Sequence, residues 1–198
     1  MYPDSLKQLI ESFKYLPGIG EKSAERFAFS VLELDEEQVD MFSNSLKNVV
    51  NSIHKCPKCN TLTDLDVCNI CSDTSRDHHS LCVFEDSKNV FLFEKLGKFN
   101  GKYHVLDGLI SPLDGINPED IGLGSLISRI QEEDIEEIIL AFKSGIEGDT
   151  TALYIKRILG DLNIKITRLA SGVPIGVDME YVDSLTLERA LLDRTEVE

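Results

Sequence analysis

Four cysteines within sixteen positions constrain this chain more than any other feature: Cys56, Cys59, Cys68 and Cys71 spell C-x2-C-x8-C-x2-C. Each C-x2-C knuckle turns two thiolates toward one point. A tetrahedral zinc ion takes four such ligands at about 2.3 Å. Two disulfides or unpaired core thiols are the alternatives. The segment that carries the cysteines, 54–76, has no amphipathic period and no apolar core of its own, so it needs a staple. The N-terminus, MYPDSLKQLIESF, lacks the apolar core of a signal peptide, and no long apolar run that could span a membrane exists. The expected compartment is therefore the cytoplasm, where thiols stay reduced and zinc is favoured over disulfides. Four protein ligands close the shell and leave no place for an activated water, so the metal is structural, one per chain. Cys82 stands apart in an apolar run and reads as a buried thiol.

On either side of the cysteines the pattern differs. Before them, Leu6, Leu9, Ile10 and Phe13 form one apolar stripe. Phe27, Phe29, Val31 and Leu32 form a second, and Val39, Phe42, Leu46, Val49, Val50 and Ile53 a third, so three helices are predicted. After the cysteines, apolar strands (81–84, 103–106, 137–142, 164–169) alternate with helical patterns (88–96, 118–131, 149–160, 184–193). That alternation predicts an α/β domain with a mostly parallel sheet and right-handed crossovers. The domains expected are 1–53, 54–76, 77–172 and 173–198.

The formal charge of −15 argues against a surface coated for polyanions, but it is unevenly placed. Residues 1–60 hold 7 basic and 9 acidic side chains, whereas 61–198 hold 13 and 26. A nucleic-acid contact is therefore sought in the first part. There, Leu16-Pro17-Gly18-Ile19-Gly20 joins two predicted helices and resembles the helix-hairpin-helix motif of DNA-binding proteins. Gly18 and Gly20 allow a tight turn that brings backbone N–H groups to a phosphate, with the positive end of the next helix behind them. Lys22 and Arg26, four apart on that helix, share one face. One such hairpin grips weakly, which favours several copies in an oligomer.

In the second part, Glu85 and Asp86 end one predicted strand, and Glu147 and Asp149 follow another. The carboxyl ends of parallel strands are where such sheets place their sites, and convergent carboxylates suit Mg²⁺. The arrangement resembles the Toprim fold of topoisomerases, primases and small nucleases, with Glu147 standing where the first Asp of a D-x-D would be. Gly172–Asp183 (GVPIGVDMEYVD) looks like a Walker B segment. No phosphate-binding G-x-x-x-x-G-K-[ST] accompanies it, which argues against ATP hydrolysis.

Taken in this order, the hairpin, the four-cysteine finger, the Toprim-like domain and the Walker B-like tail resemble the RecR family of bacterial recombination mediators. The resemblance runs along LPGIGEKSAERFAF (16–29), CPKC and CNIC, the strand to Glu85, 103–126, EGDTTALYIKR (147–157) and 168–183. It departs at Lys143-Ser144-Gly145-Ile146. The resemblance implies a non-enzymatic DNA-binding protein that assembles as a homodimer or homotetramer ring on single- and double-stranded DNA. With RecO and RecF it would help RecA displace single-strand-binding protein at gaps in DNA repair. It maps DNA contact onto Lys22 and Arg26, and a partner surface or weak Mg²⁺ site onto Glu85, Glu147 and Asp149. The alternative is a Mg²⁺-dependent nuclease or primase using those same carboxylates.

Overall fold

The computed structural model describes residues 2–160, 162–194 and 196, and the chain divides by its contacts after Ile53 into two units. The first unit holds α1 (Asp4–Phe13), α2 (Glu21–Val31) and α3 (Glu36–Ser52). Helix α3 starts at a capping box in which Asp35 accepts from Gln38 N–H while the Gln38 side chain accepts from Asp35 N–H. The core of this unit is Leu6 and Ile10 of α1 against Ala24 and Ala28 of α2. Here the predicted second stripe is corrected. The two alanines, four residues apart, form the face that meets α1, because their small side chains let the helices approach. Phe29 lies on another face and Leu32 caps the end of the helix, and they are 46% and 66% exposed. Helix α3 buries none of its residues, so its apolar stripe runs along an exposed face.

In the second unit, β1 (His54–Lys55) and β2 (Leu62–Thr63) form an antiparallel hairpin around the first cysteine knuckle. A single turn, α4 (Asn69–Ser72), carries the second. A four-stranded sheet follows, built from β3 (Ser80–Phe84), β4 (Lys102–Val105), β5 (Glu137–Leu140) and β6 (Lys165–Arg168). Its order is β4-β3-β5-β6 and every pairing is parallel. The crossover helices are α5 (Ser87–Leu96), α6 (Leu123–Glu132) and α7 (Ile146–Ile158), and α8 (Ser184–Leu192) closes the described chain.

Strand β3 is central and buried on both faces, which is why it reads as an unbroken apolar run. Leu81 and Val83 point into the larger core with Leu126, Ile130, Ile138 and Ile155. Cys82 and Phe84 point into the other with Val90, Tyr103 and Val105. Buried side chains therefore pack against the sheet on both faces.

Two predicted boundaries move. Helix α6 starts at Leu123 rather than at 118: Asn117 N–H donates to the Asp120 carboxylate in a turn, and Gly122, at φ +69°, precedes the helix. Helix α7 starts at Ile146, so Glu147 and Asp149 lie in its first turn, not in a loop. The Walker B-like stretch forms no strand. It is exposed around one short 3-10 turn at Met179–Tyr181, and Asp183 caps α8 by accepting from Thr186 N–H. Among the described residues no helix is long and apolar enough to cross a membrane.

Candidate metal centre and nucleic-acid interface

The four cysteines converge. Their sulfurs all lie within 4.8 Å of one another, all four residues are buried, and none is in a disulfide. Tetrahedral thiolates around zinc sit roughly 3.8 Å apart at the usual bond length, so little adjustment brings them onto one ion. Cys68 and Cys71 N–H groups already point at the sulfurs of Cys56 and Cys68, at 3.5 and 3.4 Å. Such N–H to sulfur contacts favour thiolates. Without an ion, hydrogen bonds from Cys59 and Cys71 hold the Cys68 thiol far below the ordinary range. The thiols of Cys59 and Cys71 are pushed up, because they are the donors to that sulfur. A divalent soft cation resolves the conflict by taking all four sulfurs as thiolates. Among the described residues no other group of three or more His, Cys, Asp or Glu side chains converges. Cys82 lies in β3, where burial pushes its thiol up to about 12, so it is unreactive.

The hairpin turn also takes the predicted form. Gly18 has φ +82°, a left-handed backbone that favours glycine. Gly20 precedes α2 without a side-chain cap, and the first α2 ladder bond is Ala24 N–H to the Gly20 carbonyl at 2.9 Å. The N–H groups of residues 21–23 therefore precede the ladder, at the positive end of the helix. Gly18, Gly20, Lys22 and Arg26 are all exposed. Glu21 is the one acid in that first turn, and Lys14, which caps the end of α1, pairs with it at 2.8 Å, which screens its charge from an arriving phosphate. Arg26 lies over the Phe27 ring, 5.3 Å from its centre, so the guanidinium is supported from below.

The acidic residues are divided rather than gathered. Glu85, at the end of β3, accepts a hydrogen bond from Lys143 N–H at 2.9 Å. Glu85 and Glu147 share a hollow of about 210 Å³ with Asp114, Lys143 and the 108–116 segment. Asp149 lines other surfaces. Its carboxylate accepts from Arg168 of β6 and Arg189 of α8, and those two guanidiniums, Arg168 first, hold it below the usual carboxylate range. Two guanidiniums thus pair with the carboxylate that the sequence offered as a weak Mg²⁺ or partner contact. Gly148, between the two acids, is required by packing: a Cβ there would stand 2.1 Å from the Lys143 carbonyl oxygen.

Sequence reasoning missed both arginine partners of Asp149, which sit 19 and 40 residues away with no local signal. It also missed Asn60, the one non-glycine residue at positive φ among those described. Its position directly after a knuckle cysteine is a signal, since Asn tolerates that conformation.

Four family models match the chain in order. They are the RecR helix-hairpin-helix (residues 6–50), the RecR four-cysteine zinc finger domain (53–73), the Toprim domain (79–170) and the RecR C-terminal segment (172–195). The recombination protein RecR of Staphylococcus saprophyticus subsp. saprophyticus is 46% identical over 196 residues, which cover 99% of each chain.

Proposed function

Since the chain belongs to the RecR family of recombination proteins, we propose that it is a zinc-stabilised, non-catalytic, DNA-binding mediator of recombination and repair in the cytoplasm. It acts with RecO and RecF to help RecA replace single-strand-binding protein at gaps. The observation that carries this reading is the exposed hairpin: Gly18 and Gly20 leave the first amides of α2 open beside Lys22 and Arg26. Backbone amides and two cations recognise phosphate without reading bases, so single- and double-stranded DNA both fit.

Each hairpin is weak alone, and the protein overcomes this as a homodimer or homotetramer ring that presents several hairpins to one DNA. The bare apolar face of α3 supports assembly, because a stripe that contains Phe42, Leu46 and Val50 exposed to water calls for a second copy. The hollow that holds Glu85 and Glu147 suits a basic surface on RecO better than a cation. Asp149 is already paired with arginines, and this weakens the reading of a Mg²⁺-dependent nuclease or primase.

The test is DNA retardation in gels at two salt concentrations. Lys22→Glu with Arg26→Glu is expected to abolish salt-sensitive binding with circular dichroism unchanged, and undiminished retardation removes the hairpin from the reading. Nicking of supercoiled DNA in Mg²⁺ that disappears in Glu85→Gln overturns the non-catalytic part.

A further inference from the structure

Strand β4 lies at one edge of the sheet, where outward backbone groups need partners. Three contacts supply them. The Val105 N–H donates to the Cys59 carbonyl at 2.8 Å, the Asn60 side-chain amide donates to the Val105 carbonyl at 3.1 Å, and Arg129 donates to the Tyr103 carbonyl at 2.6 Å. Two of the three come from Cys59, which ends the first knuckle, and from Asn60 directly after it. Asn60 makes its contact from φ +60°, a left-handed conformation that Asn takes more readily than most side chains. Lys55, immediately before the ligand Cys56, pairs with Asp107, two residues beyond Val105.

From there the connection continues. The Asp107 N–H donates to the Ile121 carbonyl at 3.1 Å, the Ile110 N–H donates to the Thr151 hydroxyl at 2.9 Å, and that hydroxyl donates to the Glu147 carbonyl at 2.7 Å. An unbroken chain of backbone and hydrogen bonds thus runs from the knuckle to the first turn of α7, past the segment that rims the acidic hollow.

We propose that the first knuckle is the edge cap of the parallel sheet, with Asn60 as its positioning residue, and that metal occupancy is thereby linked to the order of residues 105–111. The apolar interior of the finger is its four cysteines, supported by Val67 and Ile70, with Thr61 and Thr63 the other buried side chains, so a metal on the cysteines braces the knuckle that holds the Cys59 carbonyl and Asn60 against Val105. Linkage is reciprocal: whatever orders the hollow tightens zinc by the same factor that zinc orders the hollow.

Hydrogen–deuterium exchange over β4 and residues 105–111, with β6 as internal control, tests the coupling without DNA or any partner. In Asn60→Gly, which keeps the left-handed turn and loses only the amide, zinc content stays at one per chain. Exchange at 105–111 accelerates roughly fivefold to tenfold, the effect of one lost hydrogen bond, while β6 is unchanged. Stripping zinc from the wild-type protein with a chelator accelerates the same residues further. Asn60→Gly with full zinc and wild-type exchange at 105–111 overturns the positioning role. A metal-free protein with unchanged exchange there, or with equal acceleration in β6, overturns the linkage.

Discussion

The N-terminal helices bury only Leu6, Ile10, Ala24 and Ala28, whereas the finger at 54–76, less than half as long, buries all four of its cysteines and fixes its knuckle against β4. Both segments are too short to build a large apolar core. The finger meets that shortage with a metal site and with docking on the sheet edge. The helical unit leaves it unmet within one chain, since all of α3 remains outside the core. The difference teaches that a small module can be completed from within, by side chains that converge on an ion site, or left with an apolar face in water, which the proposed second copy would cover. A metal-stapled module reads as finished in the monomer, and an unstapled one shows its unfinished face.

The largest expected effect breaks the metal half of this contrast. Zinc binding is worth about 10–16 kcal/mol in small zinc modules. Cys68→Ser removes one of four ligands, and metal analysis is expected to fall well below one zinc per chain. The melting temperature should drop by about 10 °C or more. A variant that keeps full zinc and the wild-type melting temperature would show that three cysteines suffice. Next is the helical half. Phe42→Glu with Leu46→Glu touches no core contact, so helical content should be retained at a cost of about 1 kcal/mol or less to the fold of the chain. Light scattering should nevertheless show the mass falling to one chain. An unchanged mass would remove α3 from the assembly.

These contrasts were unequally legible in the sequence. The finger was legible because metal ligation imposes spacing, and C-x2-C twice leaves few alternatives. The strands were legible because a sheet covered on both faces makes 81–84 a continuous apolar run. The burial within α2 was not, since periodicity ranks Phe29 above Ala24 although close helix contact selects the alanine. The arginine partners of Asp149 were hidden for a related reason. A carboxylate at a strand end reads the same whether a cation or two arginines face it, and only tertiary structure brings Arg168 and Arg189 there. The cap by Asn60 involves residues 45 positions apart and was likewise invisible.

The strand beneath the cap supplies a smaller effect. His104 of β4 is 1% exposed, with its Nε2 3.3 Å from the Ser125 hydroxyl, and Arg129 and Asp107 are the charged groups that act on it. Burial first, and then Arg129, lowers its pKa to about 3 from 6.5. A lowered histidine means that the unfolded chain takes up a proton the native protein refuses. The stability contribution is therefore complete above the unfolded value and is lost as pH falls from there toward the folded value. At most about 1.4 kcal/mol per pH unit is involved, so roughly 2 kcal/mol goes between pH 6.5 and 5. Urea unfolding at pH 7 and pH 5 should show a gap between wild type and His104→Gln that changes by about that amount. Acid also protonates the cysteines, but equally in both proteins, so a gap that stays constant would exclude His104 as the titrating group.

The smallest effect compares the two helices that bury nothing, α3 and α8. Helix α8 differs in being tied, because Arg189 reaches Asp149, which Arg168 of β6 also holds. The Asp149 side chain is 31% exposed, so solvent screens the pair and its worth is about 1 kcal/mol. Asp149→Asn removes the anion and leaves two guanidiniums facing each other. The melting temperature should fall by about 2–4 °C at low salt. In roughly 1 M salt, where charges are screened beyond about 3 Å, most of that loss should vanish. Trypsin should also cut faster after Arg189 and Arg194, because α8 has no buried side chain to hold it once the ion pair is gone. Glu147→Gln is the control, since among the described residues that carboxylate makes no ion pair, and it should move neither reading. If the two variants behave alike, Asp149 is not the tether, and α8 stands as unsupported within one chain as α3.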